Sequence, residues 1–188
     1  MAGIKAPLQD LLTRLGTLTV TNGDGNTVNL YARIWNNQIR FEADGSLYSF
    51  QKPAAFIEVV SPVTFETIGQ GYQSADVGFM IHLATECFNE EGTQEQNLLI
   101  FDLRDAVRAL LTGFRPTGCG PLNVATEQQD YEHTQVYHYI LGFVANFTDT
   151  TGSKLDENHP DAYVDSTPPT DLILQVSKTA PKNYLIPQ

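Results

Sequence analysis

Leu8, Leu11, Leu12 and Leu15 recur at spacings of three and four after Pro7, which places them on one face of a short helix that Gly16 ends. The turn signal Asn22-Gly23-Asp24-Gly25-Asn26 then separates Leu18-Thr19-Val20 from the alternating Val28, Leu30, Ala32 and Ile34, which predicts a hairpin. A second turn at Asn36-Asn37 lets Ile39 and Phe41 return beside Leu30 to Ile34 and extend a small antiparallel meander, with Trp35 as its anchor. The apolar run Pro53 to Val60 predicts a core strand that stops at Ser61-Pro62, where proline offers the ladder no donor. From Pro62 to Ser74 the chain is polar and glycine-containing, yet it carries Phe65, Ile68 and Tyr72, which a solvated loop does not need. It is expected to be a long contact loop.

Val77, Phe79, Ile81 and Leu83 alternate with Asp76, Gly78, Met80 and His82, the period of a strand. After the polar break 89–94, residues 95–111 carry Leu99, Leu103, Ala106, Val107 and Leu110 as an apolar stripe, with Asp102, Arg104, Asp105 and Arg108 opposite. A helix of that length spans about 25 Å, enough to lie across a four-stranded sheet. Gly113 and Pro116 stop it, and a strand is expected from Leu122 to Glu127. Val136 to Phe147 is the longest β signal. Tyr137, Tyr139, Leu141, Phe143, Ala145 and Phe147 share one face, and Val136, His138, Ile140 and Val144 the other, so both faces are apolar and the strand is expected to be central. Beyond Gly152 five prolines punctuate a polar stretch whose one apolar insert is Leu172-Ile173-Leu174; such a segment has no core of its own. The expected fold is therefore α+β: a mostly antiparallel twisted sheet with one long and one short helix packed on it over 1–152, and an extended C-terminal arm over 153–188.

Composition narrows the possible functions. The 188 residues are 41% hydrophobic, enough for one core without disulfides. Asp and Glu number 22 against 11 Lys and Arg, a net charge of −11, which argues against a surface that neutralises nucleic-acid phosphates. No apolar run of secretory or membrane-spanning length is present, so a cytosolic origin without membrane attachment is expected. Cys87 and Cys119 form no zinc or redox motif and are expected to be reduced structural thiols.

Candidate chemistry is sparse. His82 and His138 lie on strands where they can share a sheet surface, and a metal there needs a third ligand such as Glu58 or Asp76. His133 and His138, five apart, fall on opposite faces of a continuous strand, and His159 lies in the polar tail. Asp130 and Glu132 beside His133 have no nucleophile near them. Val28 stands where a calcium loop beginning at Asp24 needs an oxygen ligand, and no phosphate-binding or dinucleotide fingerprint occurs. No catalytic residue, metal ligand or cofactor is assigned; the remaining alternative is a small metal- or ligand-binding domain built on His82, His138 and the carboxylates near residue 130.

The order of elements, carried by Asp76 to Ala84, Leu99 to Leu110 and Asp130-Tyr131-Glu132-His133 leading into Val136 to Phe147, resembles the tail-terminator and tail-completion (neck) proteins of long-tailed bacteriophages over residues 5–150. The resemblance implies a non-enzymatic virion protein, assembled in the host cytoplasm, whose subunits form a ring, commonly a hexamer. The ring caps the tail-tube protein and meets the head-completion or connector protein, and DNA passes through without specific binding. Another neck, stopper or baseplate position fits the same plan. Contacts between subunits are expected from Phe65, Ile68 and Tyr72 in the loop and from Leu172, Ile173, Leu174 and Tyr184 in the arm, by edge-strand pairing and loop docking.

Overall fold

The computed structural model describes residues 3–39, 49–60, 63–69, 71–88, 91–130 and 136–152. The arm, with Leu172, Ile173, Leu174 and Tyr184, lies outside the described residues, as do Phe41, Glu132, His133 and His159. The fold is α+β, as its pattern predicts: α1 (Lys5–Gly16), a hairpin of β1 (Thr19–Thr21) and β2 (Thr27–Asn29), then β3 (Tyr31–Ile34), β4 (Ala54–Val59), β5 (Glu66–Gly69), β6 (Tyr72–Glu86), α2 (Gln94–Leu111), β7 (Asn123–Asp130) and β8 (Val136–Asp149). The main sheet runs β3-β4-β6-β8-β7, and β5 pairs with β6. All its pairs are antiparallel except β3 with β4.

The helices cover one face. Leu11 and Leu15 of α1 and Ile100, Leu103, Val107 and Leu111 of α2 are buried with Val77, Phe79, Ile81 and Leu83 of β6 and Leu141, Phe143, Ala145 and Phe147 of β8. The strand pattern is therefore read correctly for both long strands. The α2 stripe is rotated from the predicted one: Ile100 and Leu111 are buried, whereas Leu99, Ala106 and Leu110 are half-buried. The rotation follows from the neighbours, since the β1–β2 hairpin flanks α2 on the side of Leu99 and Ala106. A reciprocal capping box starts the helix: Thr93 Oγ1 accepts from Gln96 N at 3.2 Å and Gln96 Oε1 accepts from Thr93 N at 2.9 Å. Gln96 Nε2 also donates to Gly23 O, tying the helix start to the hairpin.

Three further expectations are corrected. The alternating run from Val28 to Ile34 is two strands, broken at buried Leu30, whose N–H donates to Leu18 O. After Asn37, a residue with φ 57°, Ile39 lies in a turn and not in a strand beside Leu30 to Ile34, and the rest of the expected return, with Phe41, lies outside the described residues. Instead β3 pairs in parallel with β4, placing Tyr31 opposite Ala54 and Ile34 opposite Ile57. A parallel partner requires a crossover, and the described parts of this one put Trp35, buried Ile39 and Phe50 against Phe56, Ala84 and Val136 on the face away from the helices. Finally, 62–74 is not a long loop. Gly69 and Gly71, at φ 113° and 82°, reverse the chain between β5 and β6 in a conformation costly for any residue with a β-carbon.

Candidate functional site

The apolar residues singled out between Pro62 and Ser74 sit on the β5–β6 hairpin. Ile68 is 63% exposed and Phe65 39%, and all four β5 residues are exposed. Tyr72, the first residue of β6, is half-buried. Phe65 also meets Phe147 of the core edge-on, with ring centroids 6.5 Å apart, so it packs on its own subunit as well as facing out. Ile68 is the residue most available to a partner. β3, β5 and β7 each have one partner strand and leave their other backbone edge unpaired by the described strands.

On the sheet face away from the helices, register assembles a second feature. His82 lies directly opposite Ile140 on β8 and Phe56 on β4, and His138 lies opposite Asp130 on β7. The diagonal neighbours of His82, two residues along each adjacent strand, are therefore His138 and Glu58, and both are in hydrogen-bond reach. Glu58 Oε2 lies 2.9 Å from His82 Nε2, His82 Nδ1 lies 3.1 Å from His138 Nε2, and His138 Nδ1 lies 2.9 Å from Asp130 Oδ2. The result is one line of polar contacts across β4, β6, β8 and β7. Both imidazoles are buried, at 6% and 3% exposure, while the Glu58 side chain is 42% exposed beside a cavity of about 170 Å³ lined by Met80, His82, Gln128 and Ile140. Trp35 stacks on the His82 ring at 4.0 Å and 6°, with the His138 ring next at 6.2 Å. Burial holds the His82 pKa below the usual 6.5, and the carboxylates of Glu58 and Asp130 oppose that shift.

His82 and His138 thus share a sheet surface, as their strand positions allow, and of the two carboxylates considered beside them Glu58 is in reach. Asp76 is not, lying instead beside Asn146. Asp130, one of the carboxylates near residue 130 named with these histidines, supplies the far end. The imidazole centroids are 5.2 Å apart and the facing nitrogens 3.1 Å apart, so the rings meet edge to edge. Among the described residues no group of three or more His, Cys, Asp or Glu is arranged to hold a metal ion. The arrangement suits a shared proton.

Elsewhere, Arg104 and Arg108 of α2 converge on Glu127 of β7 and pin the helix to the edge strand; the bonds of Arg104 to Glu127 and then to Asp105 raise the Arg104 pKa. Burial, helped by Asp10, pushes the Cys119 thiol up to about 11, so it is a poor nucleophile. No helix among the described residues is long and apolar enough to cross a membrane. Compared with protein-family models and with curated proteins, the chain matches none.

Proposed function

We propose that the protein is a structural virion subunit, a tail terminator that assembles as a ring, of six subunits by analogy with the proteins it resembles, on the end of the phage tail tube and joins it to the head connector. The observation that carries the assembly reading is the β5–β6 hairpin, which presents Ile68 to solvent beside an open strand edge. An exposed isoleucine on an unpaired edge invites another chain to add to it, and a ring removes such edges by giving every subunit the same neighbour. The placement at the tail end rests on the resemblance in element order. The net charge of −11 fits a lumen past which DNA slides without being held. On this reading no residue is catalytic.

Mass measurement in solution, alone and with the tail-tube protein, tests the proposal. A ring, or a complex capping the tubes, is the expected result; a strict monomer that never associates with tubes refutes it. Deleting 153–188 should weaken neighbour contacts and leave 1–152 folded.

A further inference from the structure

The geometry points to a proton-binding site: Glu58, His82, His138 and Asp130 hold one proton more than two neutral imidazoles supply, and that proton latches β7 and the Trp35 turn onto the sheet. The inference does not depend on the assembly reading. It follows from counting hydrogens along the line of contacts. Three contacts of hydrogen-bond length join four groups. Each needs a hydrogen, ionised carboxylates bring none, and two neutral imidazoles bring two.

With only two hydrogens, one contact must set lone pair against lone pair. Either the two ring nitrogens face each other bare at 3.1 Å, or one imidazole turns its hydrogen inward and leaves a bare nitrogen against a carboxylate. With four on the imidazoles, two N–H groups collide in the middle. Three hydrogens satisfy all contacts. His138, as imidazolium, donates through Nδ1 to Asp130 and through Nε2 to His82 Nδ1. His82, neutral, donates through Nε2 to Glu58. The lowered His82 pKa agrees with that division, because a second imidazolium there would be buried.

The surroundings favour a cation on the pair. Among the described residues the charged groups acting on His82 are Glu58 from β4 and Asp130 from β7, both acidic, and Trp35, from the turn after β3, offers an aromatic face rather than a charge. The exposed Glu58 end and its cavity give water access to one end of a line whose interior is buried. The proton can therefore exchange without opening the core. When it leaves, the central contact turns repulsive, and the change is passed to the elements the line joins at its buried end: β7 through Asp130 and the turn carrying Trp35, stacked on His82.

Imidazole nitrogen NMR on the uniformly labelled full chain across a pH series tests this, with Trp fluorescence and amide hydrogen exchange read on the same samples. At neutral pH one of the two rings should show the imidazolium signature and the other a neutral ring protonated on Nε2. Loss of the shared proton on raising the pH should coincide with faster exchange at Gln128 to Asp130 and with a change in Trp35 emission. Asp130→Asn, which keeps an oxygen acceptor but no charge, should move that loss to lower pH by about one unit or more, and Glu58→Gln should move it less. Two neutral rings at neutral pH would overturn the site. A shared proton whose loss changes neither β7 exchange nor Trp35 emission would overturn the latch. The wild-type series decides both points even if Asp130→Asn fails to fold.

Discussion

Replacing Ile68 with threonine keeps a β-branched side chain on β5 and removes apolar surface, so it separates assembly from folding. Ile68 is 63% exposed, so little of its surface contributes to the isolated subunit and most of it is available to a neighbour. Full burial of an isoleucine side chain is worth about 1.5–3 kcal/mol, and burying the exposed two-thirds at a subunit contact about 1–2 kcal/mol. At 1.4 kcal/mol per factor of ten this weakens each contact roughly 5- to 30-fold. The association midpoint from sedimentation over a concentration series should move by that factor, while the urea midpoint of the dissociated subunit stays within about 0.5 kcal/mol of wild type. Phe65→Ala is the contrast: Phe65 also packs against Phe147, so it should lower subunit stability as well as association. An Ile68→Thr variant that associates at the wild-type concentration while remaining folded would show that the hairpin is not the interface.

Further outcomes follow from the core and the polar line. Ile100→Ala should cost about 2–5 kcal/mol in urea denaturation, whereas Leu98→Ala, at a site 47% exposed, should cost well under 1; equal costs would contradict the observed rotation of α2. With its folded pKa below the unfolded 6.5, His82 binds fewer protons folded than unfolded, so its contribution to stability falls as pH drops through 6.5 and levels off below the folded value. Denaturation of His138→Gln, where His82 titrates without its imidazole partner, should reveal that slope between about pH 7 and 5, and a flat profile would contradict it. Trp35 faces the His138 imidazolium from 6.2 Å, at the limit of cation–π range, so Trp35→Leu should lower the pH at which the shared proton is lost by at most about 0.4 units by NMR, about 0.5 kcal/mol, with Trp35→Phe between. A β-carbon at Gly142 meets Thr126 Oγ1 at 2.2 Å, so Gly142→Ala should lose about 1–3 kcal/mol in thermal melts, and adding Thr126→Ala should restore most of it.

The pattern of the chain revealed which residues of β6 and which of β8 share a face, because a period of two survives burial on both faces. It did not reveal partners. Asn36-Asn37 is a sound turn signal, but a turn states that the chain bends and not where it goes next, so it gave no hint of the parallel pairing of β3 with β4. Two signals were present and read too weakly: Gly69 and Gly71 flank a reversal of the kind that makes 62–74 a hairpin, and Thr93-x-x-Gln96 within the polar break is a capping box. The contact of His82 with His138 was foreseen from shared faces. Its extension to Glu58 and Asp130 depends on the register of three strand pairs, which alternation alone does not determine.

The parallel pairing of β3 with β4 links these observations. A β3 whose described partner followed it in a hairpin would have made Trp35 a local anchor, with no requirement that anything cross the far face of the sheet. Because the partner is parallel, the connection must cross over, and it places Trp35, Ile39 and Phe50 on the face the helices leave open. That cover removes water from His82 and His138, and without it two histidines on a solvated sheet face would titrate separately, each bonded to water. Burial makes unpaired hydrogen-bonding groups costly, so the Glu58 to Asp130 line has to be satisfied as a unit. The same crossover that defeats the local reading of the sequence is therefore what gives the protonation of this line structural consequences, and it does so on the opposite face from the core that α1 and α2 build.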